Sequence, residues 1–161
     1  MQFTKDSFYM ALRARLAQTN PGRTIALEGD TIPAILVMEN EAVTAAETLA
    51  DCFYIHFGSV GAVNGASPLM AFEASITYRT RGTTDGSTDR GRAMTALDSE
   101  LLAMCSPRQA AKCDYTQDPP LDLESCVFWT SPLLDEPVAG GAELSRTTKV
   151  TLFFYPEGQT A

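Results

Sequence analysis

The residues able to do chemistry in this chain are few. His56 is the only histidine, and it lies in a run, Cys52 to Phe57, that alternates like a strand. A zinc site needs further ligands at recognisable spacing, and only folding could bring Cys52 or Glu73 to it, so no metal is expected. A cysteine nucleophile would need that same imidazole, or a lowered thiol pKa. The sequence separates His56 from Cys105 and Cys113 without placing them in a shared cleft. Ser59, within Gly58-Ser59-Val60-Gly61, is not in the Gly-x-Ser-x-Gly elbow. A strand side chain with a polar tip is the simpler reading of His56.

Acidic and glycine-bearing segments give equally modest signals. Asp85, Asp89 and Asp98 invite a hard-cation site, but Asp85-Gly-Ser-Thr-Asp89 lacks the length and closing glutamate of a calcium loop. Turn formation, and capping of the next helix by Ser87, Thr88 or Asp89, account for it. The run Gly58 to Gly65 has no Walker lysine and feeds a strand, so a sheet connection is expected there rather than a phosphate grip. Arg79, Arg81, Arg90 and Arg92 form a basic patch interrupted by Asp85 and Asp89. The four cysteines, Cys52, Cys105, Cys113 and Cys126, show no paired spacing; free thiols are the default, and a bridge among Cys105, Cys113 and Cys126 is sterically conceivable.

The elements that must position these residues are more legible. Phe8, Ala11, Leu12 and Leu16 predict a helix over residues 7–19, with Asp6 or Ser7 as cap and Asn20-Pro21-Gly22 as its end. Thr24 to Leu27 reads as a short strand, Glu28 to Asp30 as a turn, and the run Ala34 to Met38 after Pro33 as a second strand. Glu39 to Asp51 admits a short helix on Ala42, Ala45, Ala46 and Leu49, or a long loop. From Leu69 to Arg79, Phe72, Ala74, Ile76 and Tyr78 share one face and Glu73, Ser75, Thr77 and Arg79 the other. Ala93, Leu97, Leu101 and Met104 mark an amphipathic helix, with Asp98 and Glu100 left to water.

After Pro107 the chain is polar, and residues 107–122 are expected to be an extended loop or excursion. Cys126 to Trp129 and Thr147 to Tyr155 resume strand character, separated by a turn-rich stretch from Pro132 to Gly141, and the tail Pro156 to Ala161 is expected to fray. Core packing is the default use of such aromatics, but Phe128, Trp129, Phe153 and Tyr155 make the last strands aromatic on both sides, so they are the candidate interface, at an edge or a subunit contact. The fold class that follows is α+β: one domain over residues 1–161, with a mostly antiparallel or mixed sheet packed by two principal helices.

The totals bound the partners. Twelve basic against twenty acidic residues give a net charge of −8, a field that opposes a phosphate backbone, so no direct nucleic-acid contact is expected. With 45% apolar and 20% charged residues over 161 positions, a conventional core is within reach. No run approaches a membrane span, and the amino end lacks a basic segment followed by an apolar core, so neither membrane insertion nor a cleavable signal is expected.

The order helix, short strand, proline-led strand, alternating strands, polar loop, acidic amphipathic helix and late strands resembles the small tail-terminator or minor-tail proteins of long-tailed bacteriophages. The segments that carry the likeness are Phe8 to Leu16, Pro33 to Val37 and Ala96 to Leu102. The Ala/Gly-rich middle and the cysteine-bearing stretch Pro107 to Asp122 depart from the family's compact form. The resemblance implies a non-enzymatic homo-oligomer without a cofactor, a ring such as a hexamer, that joins tail-tube and neck proteins. It would be made in the cytoplasm of the bacterial host and end in the virion tail. Two other readings stay open on the residues alone. One is a small-ligand or regulatory binding module, with its pocket between the aromatic strands and the Gly58 to Pro68 loop. The other is a cysteine-dependent hydrolase or transferase using His56.

Overall fold

A computed structural model describes residues 1–39, 49–63 and 68–156. Helix α1 spans Gln2–Thr19 and buries Phe8, Leu12 and Leu16 at four-residue spacing on one face. It starts five residues before the predicted Ser7, so Asp6 and Ser7 lie inside it and neither caps it. The backbone of Asn20 closes it by donating to the Leu16 carbonyl at 2.8 Å. Strands β1 (Thr24–Leu27) and β2 (Asp30–Pro33) pair as an antiparallel hairpin. Glu28 at φ 50° and Gly29 at φ 94° give the turn two left-handed residues, the geometry that matches strand twist.

The aliphatic run forms strand β3 (Ile35–Val37), as expected, and it runs parallel to β4 (Phe53–Ala62). The alternatives for Glu39 to Asp51 fall largely on residues 40–48, outside the described residues. Strand β4 extends five residues past Phe57, into the segment read as a loop, through a register shift between Phe57 and Val60. Gly58 makes that shift possible, because a Cβ there would stand 3.2 Å from the Glu73 carbonyl oxygen. The rest of that loop includes residues 64–67, again outside the described residues.

Strand β5 (Met70–Thr80) keeps the predicted faces: Phe72, Ala74, Ile76 and Tyr78 are buried. Helix α2 (Arg90–Met104) buries Met94, Leu97, Leu101 and Met104. The stretch read as an excursion holds β6 (Gln109–Asp114), which pairs with β7 (Leu121–Trp129) as an antiparallel hairpin. The turn-rich connection likewise contains β8 (Leu133–Leu134) and β9 (Val138–Gly140) before the long β10 (Glu143–Phe154). Residues 157–161, most of the tail expected to fray, lie outside the described residues.

The main sheet is mixed, in the order β3-β4-β5-β10-β7-β6, with β8 and β9 also paired to β10. Both helices pack on one face, giving the α+β class expected. β10 is not an edge, since β5 covers its whole length on one side and β9, β8 and β7 follow one another on the other. The sheet curls until its two end strands flank the same helix. Tyr9 on α1 donates its hydroxyl to the Ile35 carbonyl of β3 at 3.3 Å, and Ser7 Oγ accepts the Cys113 N–H of β6 at 2.9 Å. Between them Phe8 meets Phe57 and Trp129 edge-on, at centroid distances of 6.4 and 5.1 Å. α1 therefore closes the seam of a half-rolled sheet.

Among the described residues, the opposite face is covered at one end only. There the β1–β2 hairpin packs Ile25, Leu27 and Ile32 onto Ala34, Leu36, Cys52 and Tyr54. Across β5 and β10 this outer face is polar, with Lys149 bonded to Glu73 at 3.2 Å and Thr77 to Thr147 at 3.1 Å.

Candidate functional site

The structure disperses the residues that could have done chemistry. His56 is exposed on the outer face, where its Nδ1 lies 2.9 Å from Glu39 Oε1, an oxygen that also accepts the Phe57 N–H at 2.9 Å. Cys52 is four residues back, just before the strand and about 13 Å away, and buried under the hairpin. Cys105 is buried at the end of α2, and burial pushes its thiol up to about 12 despite the nearby Arg15 guanidinium. Burial and then the Asp122 carboxylate push the half-buried Cys113 thiol up as well. Both thiols are protonated at neutral pH and poor nucleophiles. Cys126 is exposed, and all four cysteines are free.

The carboxylates serve the fold. Asp89 occupies the cap position of α2 but makes no capping bond. It turns back onto the preceding loop and accepts the Thr83 and Thr84 N–H groups at 2.9 and 3.2 Å, together with both threonine hydroxyls. Those bonds, the Thr83 hydroxyl first, hold its carboxyl well below the usual range. Gly82, at φ 80°, lets the loop pass this close, since a Cβ there would meet Arg90 N at 2.9 Å. Asp98 accepts the Tyr78 hydroxyl at 2.6 Å and an Arg146 nitrogen at 3.0 Å. Glu100, expected to face water, is 9% exposed; it accepts Arg23 Nε at 2.8 Å, Arg23 Nη2 at 2.9 Å and Asn20 Nδ2 at 2.7 Å. Period alone placed these two acids on the solvent side; the cations that draw them inward come from distant loops and strands. Among the described residues no three His, Cys, Asp or Glu side chains converge as a metal site.

The arginine patch is partly compensated. Arg79 and Arg81 grip Glu143 at 2.9 and 2.7 Å, and that contact, Arg81 foremost, lowers the Glu143 pKa. Arg90 donates to the Gly141 carbonyl at 2.6 Å, while Arg92 is exposed. A shallow hollow of about 650 Å³ lies at this end, lined by Gly86, Ser87, Arg90, Gly91, Gly141 and Leu144. It is remote from Phe128 and Phe153 and from the described part of the Gly58 to Pro68 loop, which were expected to frame a pocket.

The aromatic candidates divide. Trp129 belongs to the core: it is 4% exposed, donates Nε1–H to the Cys105 carbonyl at 2.9 Å and carries the Arg15 guanidinium 5.3 Å from its ring. Its position in β7 points it inward beside Leu152. Phe128, next in the chain, points outward, is 43% exposed and lies opposite the half-buried Phe153. Tyr155 is half-buried, and its carbonyl accepts the buried Lys112 Nζ at 2.7 Å.

Sequence reading missed the larger feature to which Phe128 belongs. β7, β8 and β9 follow one another along β10 as one interrupted ribbon over residues 121–140. Of the nine large apolar side chains that stand exposed among the described residues, five are on it: Leu121, Phe128, Leu133, Leu134 and Val138. Prolines at 119, 120, 132 and 137 hid its strand character, although prolines beside short strands are themselves an edge signature. Chemically, this site offers apolar contact and open backbone groups. No family model matches the chain, and no curated protein matches its sequence.

Proposed function

We propose that this chain is a self-assembling structural protein, a non-enzymatic ring component of the kind that terminates the tail tube of a long-tailed bacteriophage. The observation that carries the assembly reading is the concentration of exposed apolar side chains on the ribbon 121–140, at an open border of the sheet. Such a border leaves backbone and apolar groups for a neighbouring polypeptide to satisfy. The tail assignment is supported by the order of elements, with tail-tube and neck proteins as the further partners, and by the α+β architecture that the order implied. On this reading the protein is made in the host cytoplasm and ends in the virion.

Negative-stain imaging of the purified protein, alone and mixed with tail tubes, tests the proposal. Closed rings that cap tube ends are the expected result. Isolated particles of single-chain size that leave tubes uncapped would overturn it.

A further inference from the structure

The β6–β7 hairpin is an arm. β7 pairs with β10 only at Phe128 and Trp129, so from Leu121 to Val127 its β10-facing edge has no strand partner among the described residues. One backbone group on the arm is covered locally, where Asp122 Oδ1 accepts the Glu124 N–H at 2.8 Å. Leu121, at the arm's far end, is 55% exposed. The arm's tip, residues 114–124, carries Asp114, Asp118, Asp122 and Glu124 and no lysine or arginine. An arm laid against the same arm of a second molecule would set four carboxylates against four, a repulsive arrangement. A basic surface is the electrostatic complement of this tip.

The chain carries such a surface at its other pole. Phe153, at the arm's root, and Leu144, beside the arginines, are nine residues apart along β10, about 30 Å. At that pole stand Arg90, which lines the hollow, Arg81, with a side chain 68% exposed, and the exposed Arg92. Against Arg79, Arg81, Arg90 and Arg92 stand Glu143, which answers Arg81 and Arg79 together, Asp89, which keeps its negative charge while its oxygens take threonine donors, and the exposed Asp85, so the pole retains one net positive charge in a chain of net charge −8. Acidic arm and basic pole lie at opposite ends of one molecule. Each copy therefore holds both halves of a contact that only another copy can complete, and such a heterologous contact closes into a ring when its rotation permits.

We infer that the β6–β7 arm of one copy docks on the Arg81–Arg92 pole of the next, head to tail. This rests on the assembly reading above and names the surfaces that carry it. The test uses the full chain, light-scattering mass and two charge-reversed variants. One is Asp118→Lys with Glu124→Lys on the arm; the other is Arg90→Glu with Arg92→Glu at the pole, where acidic residues suit the first turn of α2. Each variant alone should lose the oligomer and run as a folded monomer by circular dichroism. An equimolar mixture should regain it, since each reversed surface then meets its complement. An oligomeric parent whose variants keep the parental mass, or whose monomeric variants do not reassemble on mixing, would refute these surfaces and leave assembly standing. A parent that is monomeric at every concentration would refute assembly itself.

Discussion

Replacing Glu100 with alanine removes the acceptor of three bonds, two from Arg23 at 2.8 and 2.9 Å and one from Asn20 at 2.7 Å. The two charged side chains are 20% and 11% exposed, and hydrogen bonding to Glu100 holds the Arg23 guanidinium above its ordinary pKa. Truncating one partner of a buried ion pair costs about 3–5 kcal/mol, because the other charge stays desolvated. Here Arg23 keeps some water, and Asp51 stands 4.0 Å away as a weaker substitute. We therefore expect about 2–3 kcal/mol, which at about 2–4 °C per kcal/mol lowers Tm by about 4–12 °C. Urea unfolding measures the loss, and a cycle with Arg23→Ala separates the pair from the packing. Once Glu100 is gone, removing Arg23 should cost little more, with coupling of about 1–3 kcal/mol. A loss below about 1 kcal/mol, or two costs that simply add, would refute the view that this pair joins α2 to the end of α1.

Ser7→Ala deprives the Cys113 N–H of its acceptor on α1 and should cost about 1–2 kcal/mol in urea unfolding, with earlier amide exchange at Cys113; unchanged exchange there would contradict the sealed seam. In the native protein at pH 8, a thiol reagent should label Cys126 first and reach Cys52 and Cys105 only on unfolding, as mass spectrometry of the labelled peptides can follow. Asp89 and Glu143 have folded pKa values below their unfolded ones, which are about 3.9 and 4.3. Their contribution is thus fully present above about pH 5 and is lost as the pH falls through the folded values. Denaturant midpoints should drop between about pH 5 and pH 2, and less steeply in Asp89→Asn.

Much of the architecture was legible where one face of an element is dry and the other wet. The alternation of Phe72, Ala74, Ile76 and Tyr78 predicted β5 with its correct faces, and the spacing of Phe8, Leu12 and Leu16 predicted α1. What failed was decided by distant residues. Asp98 and Glu100 sit on the polar arc of α2 by period, yet Arg146, from β10, and Arg23, from the loop before β1, draw them inward. β6 was unreadable because its buried Lys112 and its prolines nearby look like loop composition, whereas Lys112 is accommodated by the Tyr155 carbonyl and the Phe154 ring. Phe128 and Trp129, adjacent and both aromatic, could be told apart only by register: one residue of offset in β7 sends the first outward and the second into the core.

Absolute molar mass by light scattering, taken from micromolar to millimolar protein, tests the assembly claim most directly. The account predicts a fixed multiple of the 17.4 kDa chain that persists on dilution. A mass of 17.4 kDa throughout that range would contradict it.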